Sequence, residues 1–193
     1  IKPWPCCRHT HPAIAAALAL RERGVGPGDL LLSTYGTALR VTDDPEARTP
    51  YAARFSLQFC VAAALVHGRV EPDTFEGGLQ DADVRRVMAR VEVQESPPLE
   101  AAYPSRWGAM LRWTGDGGGA EEITVPDAPG DPECPLTPVQ LEEKVMALFR
   151  HGGLEQGRGE GLYRALGAMA NGADVPPLPW PVPPAATPAG SGV

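Results

Sequence analysis

The segment 51–68, YAARFSLQFCVAAALVHG, constrains this chain more than any other stretch, because it reads as a helix that is apolar nearly all round. Phe55, Phe59, Ala62, Ala63 and Val66 recur at three- and four-residue spacing on one side, and the other side offers little charge to water. An exposed helix would carry charge on half its circumference, so this one must be buried in the core or against another domain. The chain has 193 residues, room for one domain of ordinary size around such a helix. With 43% hydrophobic and 21% charged residues it is close to the soluble globular average, and no apolar run reaches the roughly 20 residues that cross a bilayer.

Other elements follow from local chemistry. Thr10 or His11 before Pro12 reads as a cap with a first-turn proline, predicting a helix over 13–24 that stops at Gly24. Residues 30–35 and 37–41 read as a strand pair broken at Gly36. A short turn over 73–79 and a helix over 81–90 come next; Asp81 or Asp83 sits at the positive helix end, and Arg85, Arg86 and Arg90 follow downstream. A strand begins at Val91. Alternation over 106–125, interrupted by Gly115 to Gly119, predicts an antiparallel hairpin; its glycine loop lacks the lysine and Ser/Thr of a phosphate-binding loop. Thr137-Pro138-Val139-Gln140 is a capping-box start for a helix to about Arg150. A last helix over 159–170 ends at Asn171-Gly172. The expected organisation is one α+β domain over 1–174, an antiparallel-containing sheet packed with helices, followed by a proline-rich extended tail over 175–193.

Charge and cysteines narrow the function. A net charge of −7, with arginines scattered among acids, argues against nucleic-acid binding, while a small anion needs only two or three local cationic donors. Cys6, Cys7, Cys60 and Cys134 contain no CxxC and too few thiols for a disulfide scaffold or an iron–sulfur cluster, so reduced thiols in a cytoplasmic protein are expected. The start at Ile1, without a signal segment, reads as a processed chain or an excised fragment.

Candidate chemistry concentrates in the lead-in IKPWPCCRHTHP. Lys2, Arg8, His9, His11 and the first amides of the following helix could together face carboxylate oxygens; a solvated arm touching nothing is the plainer alternative. His9-x-His11 has metal-ligand spacing only if both side chains share a face, and no third ligand lies nearby. Ser56 and Gln58, polar groups in the most buried helix, require partners: a ligand, or for the serine a carbonyl one turn back. His67 reads as a partner of its helix's C-terminal dipole.

Three separated segments carry a family resemblance. KPWPCCRHTHPAIAAALALRE, ARFSLQFCVAAALVHGRV and PGDPECPLTPVQLEEKV resemble, in order and approximate spacing, motifs of the second domain of MmgE/PrpD proteins. The resemblance covers about residues 1–170 and implies the smaller α+β second domain of a dimeric enzyme whose first domain is all-helical, with the active site between them. Members include 2-methylcitrate dehydratase, cis-aconitate decarboxylase and an iminodisuccinate epimerase, lyases and isomerases that move a proton next to a carboxylate of a di- or tricarboxylate without metal or organic cofactor. Carried over by position, Lys2 and His11 are the implied catalytic residues and Ser56 and Phe59 the implied substrate-binding residues; Arg8 and His9, read from the donors of the lead-in, are further candidate substrate-binding residues. The chain departs from the family at Phe59, where many members have tyrosine and hence a hydroxyl. No residue here is an obvious base for a carbon acid, so the domain by itself is expected to be inactive. The alternative is a noncatalytic interaction or dimerisation module with a degenerate site.

Overall fold

A computed structural model describes residues 1–174, so the expected tail lies outside the described residues. In chain order the elements are α1 (His11–Glu22), β1 (Gly28–Thr34), α2 (Gly36–Thr42), α3 (Pro50–Ala53), α4 (Leu57–His67), α5 (Pro72–Gly77), α6 (Ala82–Met88), β2 (Val91–Glu95), α7 (Pro97–Ala102), β3 (Ala109–Gly115), β4 (Ala120–Val125), α8 (Pro138–His151) and α9 (Gln156–Ala170). They form two compact units, residues 1–144 and the residues from 145 onward.

The first unit holds a four-stranded mixed sheet in the order β2-β1-β3-β4, with β1 parallel to β2 and antiparallel to β3, and β3 antiparallel to β4. Register places Leu30 opposite Val91 and Trp113, Leu32 opposite Val93 and Leu111, and Leu111 opposite Ile123. Side chains alternate across a strand, so this set forms one apolar face, which α1 and α4 cover. The fold is α+β, as the sequence predicts.

The buried helix is the centre of this unit. Leu57 through Ala64 are all buried, and Ala62, Ala63 and Ala64 have no exposed surface. Ala13, Ala16 and Ala17 of α1 are equally buried, and small side chains on both helices let their backbones approach closely. Gly68 ends α4 in the left-handed conformation (φ 70°), its N–H donating to the Ala64 carbonyl at 2.9 Å.

Three expectations are corrected. Residues 36–42 are helical, not a second strand: Gly36 N–H donates to Glu100 Oε2 at 2.8 Å, and Ala38 and Thr42, one helical turn apart, are both buried. The alternation of TALRV fits either period over so short a stretch. The helix expected over 51–68 is two: α3 ends at Ala53, and Ser56, in extended backbone (φ −110°, ψ 116°), caps α4 by accepting from Phe59 N–H at 3.0 Å. The helix α7 was not foreseen; it follows β2 directly, with Ser96 N–H donating to the Thr34 carbonyl at 2.8 Å.

The second unit is described by its own contacts. Phe149 and Met146 of α8 lie against Gly159 of α9, where a Cβ would meet Phe149 Cδ2 at 3.2 Å, and Leu162 is buried. The capping box predicted at the start of α8 lies in the first unit and is present, with Thr137 N–H donating to Gln140 Oε1 at 2.9 Å and Gln140 N–H to Thr137 Oγ1 at 3.2 Å. No helix among the described residues is long and apolar enough to cross a membrane.

Candidate functional site

The lead-in is a pinned segment of the first unit. Cys7 N–H donates to the Arg54 carbonyl at 2.9 Å, and Arg54 Nη1 donates back to the Pro5 carbonyl at 3.4 Å, so the turn before α4 holds the polar stretch before α1. A 3₁₀ turn over Arg8–Thr10 then feeds α1. Thr10 precedes α1 but does not cap it with its side chain; its hydroxyl donates to the Cys7 carbonyl at 2.8 Å.

Each predicted site residue has its own setting. Lys2 is exposed, its ammonium donating to the Cys6 carbonyl at 3.2 Å. Arg8 makes a salt bridge with Asp131, and its guanidinium carbon lies 3.7 Å from the centroid of the Trp107 ring. His9 stacks on Trp107, with centroids 4.6 Å apart and planes 16° from parallel, and its Nδ1 is 2.7 Å from the Tyr35 hydroxyl. His11 is fully buried in the first turn of α1, edge-on to Trp4 at 5.3 Å, and neither ring nitrogen has a regular hydrogen-bond partner. Its polar neighbour is the Cys6 thiol.

His9 and His11 therefore diverge, one beside the aromatic cluster and the other in the core. Among the described residues no group of three or more His, Cys, Asp or Glu side chains is placed to hold a metal ion. Ser56 is committed twice, capping α4 and donating its hydroxyl to the Asp44 carbonyl at 2.6 Å. Phe59 is fully buried against Phe75, with centroids 5.7 Å apart, and its ring edge faces Gly78. Gln58 Nε2 donates to Asp43 Oδ1 at 2.7 Å, while its carbonyl oxygen is buried without a partner. His67 pairs with Asp81 at 3.5 Å.

Sequence reasoning missed Tyr35, Tyr103, Trp107 and Asp131. Tyr35, fully buried where β1 gives way to α2, stacks on Tyr103 with centroids 4.4 Å apart and planes 12° from parallel. Trp107 precedes β3, and Asp131 lies in the loop before α8. The one local signal was the aromatic pair at 103 and 107 beside one proline and a glycine, a composition that suits a loop and says nothing of its partners.

The electrostatics follow from burial. Burial pushes the Tyr35 phenol far above its usual range, with the neighbouring Tyr103 adding to the shift. Burial and then the adjacent Arg8 charge push His9 below the usual imidazole value, so the ring is neutral at physiological pH. In the core, the neighbouring Cys60 thiol lowers the Cys6 pKa, whereas burial raises that of Cys60, whose Sγ donates to the Ala53 carbonyl at 3.6 Å. The lead-in thus presents a solvated ammonium at Lys2, a part-exposed guanidinium balanced by Asp131, and a neutral imidazole at His9, donors suited to carboxylate oxygens.

The family model described as MmgE/PrpD C-terminal domain matches residues 4–160, a span that includes Arg8, His9, His11, Ser56 and Phe59. No protein of curated description matches this sequence.

Proposed function

Because the chain belongs to the MmgE/PrpD family as its C-terminal domain, we propose that it forms one wall of a cofactor-independent lyase or isomerase site, of the 2-methylcitrate dehydratase kind, for a small di- or tricarboxylate. The observation that carries the reading is the family match itself, which begins inside the donor-rich lead-in. Elimination next to a carboxylate needs a base for the carbon acid, an acid for the leaving hydroxyl and cations to hold the carboxylates.

Lys2 and Arg8 serve as the cations, with the Lys2 ammonium also a proton donor, and His9 supplies an imidazole from the 3₁₀ turn, while His11, fully buried at the start of α1, faces the core and not the ligand. Ser56 and Phe59 shape this wall by fixing the start of α4. The carbon base belongs to the all-helical domain of the family, and the working unit is a cytoplasmic homodimer in which that domain completes the site. The isolated domain is therefore inactive.

Turnover of 2-methylcitrate, cis-aconitate and iminodisuccinate by the full-length protein tests this reading. Lys2→Ala is expected to lower kcat/KM at least about a hundredfold on whichever is the substrate; unchanged turnover removes Lys2 from the site. One observation favours a second reading, a noncatalytic docking module: Phe59, where many members have tyrosine, is sealed in the core with no hydroxyl to offer. Titration of the full-length protein with di- and tricarboxylates in a thermal-shift assay separates the two, since no stabilisation by any of them favours the module.

A further inference from the structure

We propose that Tyr35 is a positioning residue that holds His9 as the Nε2–H tautomer and so leaves one defined N–H donor for a ligand carboxylate; the carboxylate rests on the function proposed above, the tautomer does not. The contact is the 2.7 Å approach of the Tyr35 hydroxyl to His9 Nδ1. Tyr35 has no exposed surface, and its hydroxyl has no other hydrogen-bond partner among the described residues. A buried phenol keeps its proton and must donate it, and Nδ1 is the acceptor within reach. If Nδ1 carried the ring proton instead, the Tyr35 O–H would be stranded in the core at the cost of an unmade hydrogen bond.

Both rings are neutral for reasons already given, since burial favours the protonated phenol and the uncharged imidazole. A neutral imidazole has one ring proton, so an accepting Nδ1 places it on Nε2. Stacking then fixes the ring planes: His9 lies on Trp107 and Tyr35 on Tyr103, while Tyr103 and Trp107 touch at 5.5 Å. His9 Nε2 has no protein partner among the described residues and is not sealed from solvent, so its N–H is free to serve a ligand. Arg8, Asp131, Cys7 and Tyr103 are the other titratable groups whose charge is felt at this pair.

The measurement is ¹⁵N NMR of the full-length protein labelled in histidine, with the His9 signals assigned by their loss in His9→Gln. The expected wild-type pattern at neutral pH is an unprotonated, pyridine-type Nδ1 shift and a protonated, pyrrole-type Nε2 shift. In Tyr35→Phe, which keeps the ring stacked on Tyr103, the Nδ1 and Nε2 shifts should move toward each other as the tautomers mix. A proton on Nδ1 in the wild type overturns the proposal without any variant, and so does a Tyr35→Phe spectrum identical to wild type. Added citrate, as a tricarboxylate probe, should shift the Nε2 signal. If the tautomer is as stated but citrate leaves the signal unmoved, the positioning role of Tyr35 stands and the carboxylate reading of the site fails.

Discussion

Arg8 and Asp131, 123 residues apart, are joined by a salt bridge in which both Nε and Nη2 of the guanidinium meet Oδ2 of the carboxylate. Asp131 is the more covered partner, its side chain 14% exposed against 37% for Arg8, and the same guanidinium lies over Trp107. A lysine cannot reproduce either the fork or the stacking. Arg8→Lys and Asp131→Asn are each expected to cost about 1 kcal/mol, a figure already reduced for the exposure of Arg8. In urea unfolding the double variant should lose less than the sum of the two, with a coupling of about 0.5–1 kcal/mol; strict additivity would contradict a working pair.

Ser56 tests whether a residue flagged for binding is instead architectural. Its oxygen accepts from Phe59 N–H at 3.0 Å and its hydroxyl donates to the Asp44 carbonyl at 2.6 Å, so substitution strands a buried N–H and a half-buried carbonyl. Ser56→Ala should destabilise the protein by about 1–2 kcal/mol, read as a lowered Tm, while Ser56→Thr keeps most of the cap. An unchanged Tm in Ser56→Ala would mean that the cap contributes nothing to α4.

These two cases mark what the amino-acid pattern could and could not reveal. The hairpin was legible because Ala109, Leu111 and Trp113 alternate with Met110, Arg112 and Thr114 against a partner strand only a glycine loop away, and the start of α8 because Thr137 and Gln140 carry their capping chemistry within four residues. The break before α4 was hidden because one serine in an apolar run looks the same inside a helix as at its cap until the backbone is seen. At the candidate site, Lys2, Arg8, His9 and His11 stood out by residue type, but what separates them is distant. Tyr35 lies 26 residues from His9 and Asp131 lies 123 from Arg8, and no local periodicity encodes such pairings. His11 shows the same limit from the other side, since its spacing from His9 fits a shared face and only the packing of α1 turns it into the core.

Arg90 makes the acid response of the sheet edge testable. Its Nε donates to Asp29 Oδ1 at 2.9 Å and its Nη1 to Asp116 Oδ2 at 3.0 Å, and the hydrogen bonding from Arg90 to Asp116 holds the Asp116 carboxyl below its ordinary value of 3.8. A carboxyl depressed in the folded state adds stability above its unfolded pKa, and that stability drains away as pH falls through the lower folded value. Denaturant titrations over about pH 2–6 should therefore show part of the acid loss of stability vanish in Arg90→Met, the variant curve being flatter below about pH 4. Parallel curves would place the acid sensitivity elsewhere.

Cys6 and Cys60 lie in one buried thiol cluster with Thr10, whose hydroxyl is 3.2 Å from Cys6 Sγ, while Cys134 is exposed and Cys7 half-buried. A thiolate-leaning Cys6 would react quickly if it were accessible, but only 6% of the residue is, and Cys60 is fully covered. Access, not acidity, should set the order of alkylation. With N-ethylmaleimide under native conditions Cys134 is expected to be modified first and Cys7 more slowly, while Cys6 and Cys60 react together, at the rate at which α4 and the lead-in open. Destabilising the cap through Ser56→Ala should speed the labelling of Cys60 by about five- to thirtyfold, the factor equivalent to 1–2 kcal/mol, without changing that of Cys134. Peptide mass spectrometry over a labelling time course reads all four sites at once, and labelling of Cys60 at the pace of Cys134 would show that the buried helix is not the sealed centre of this unit.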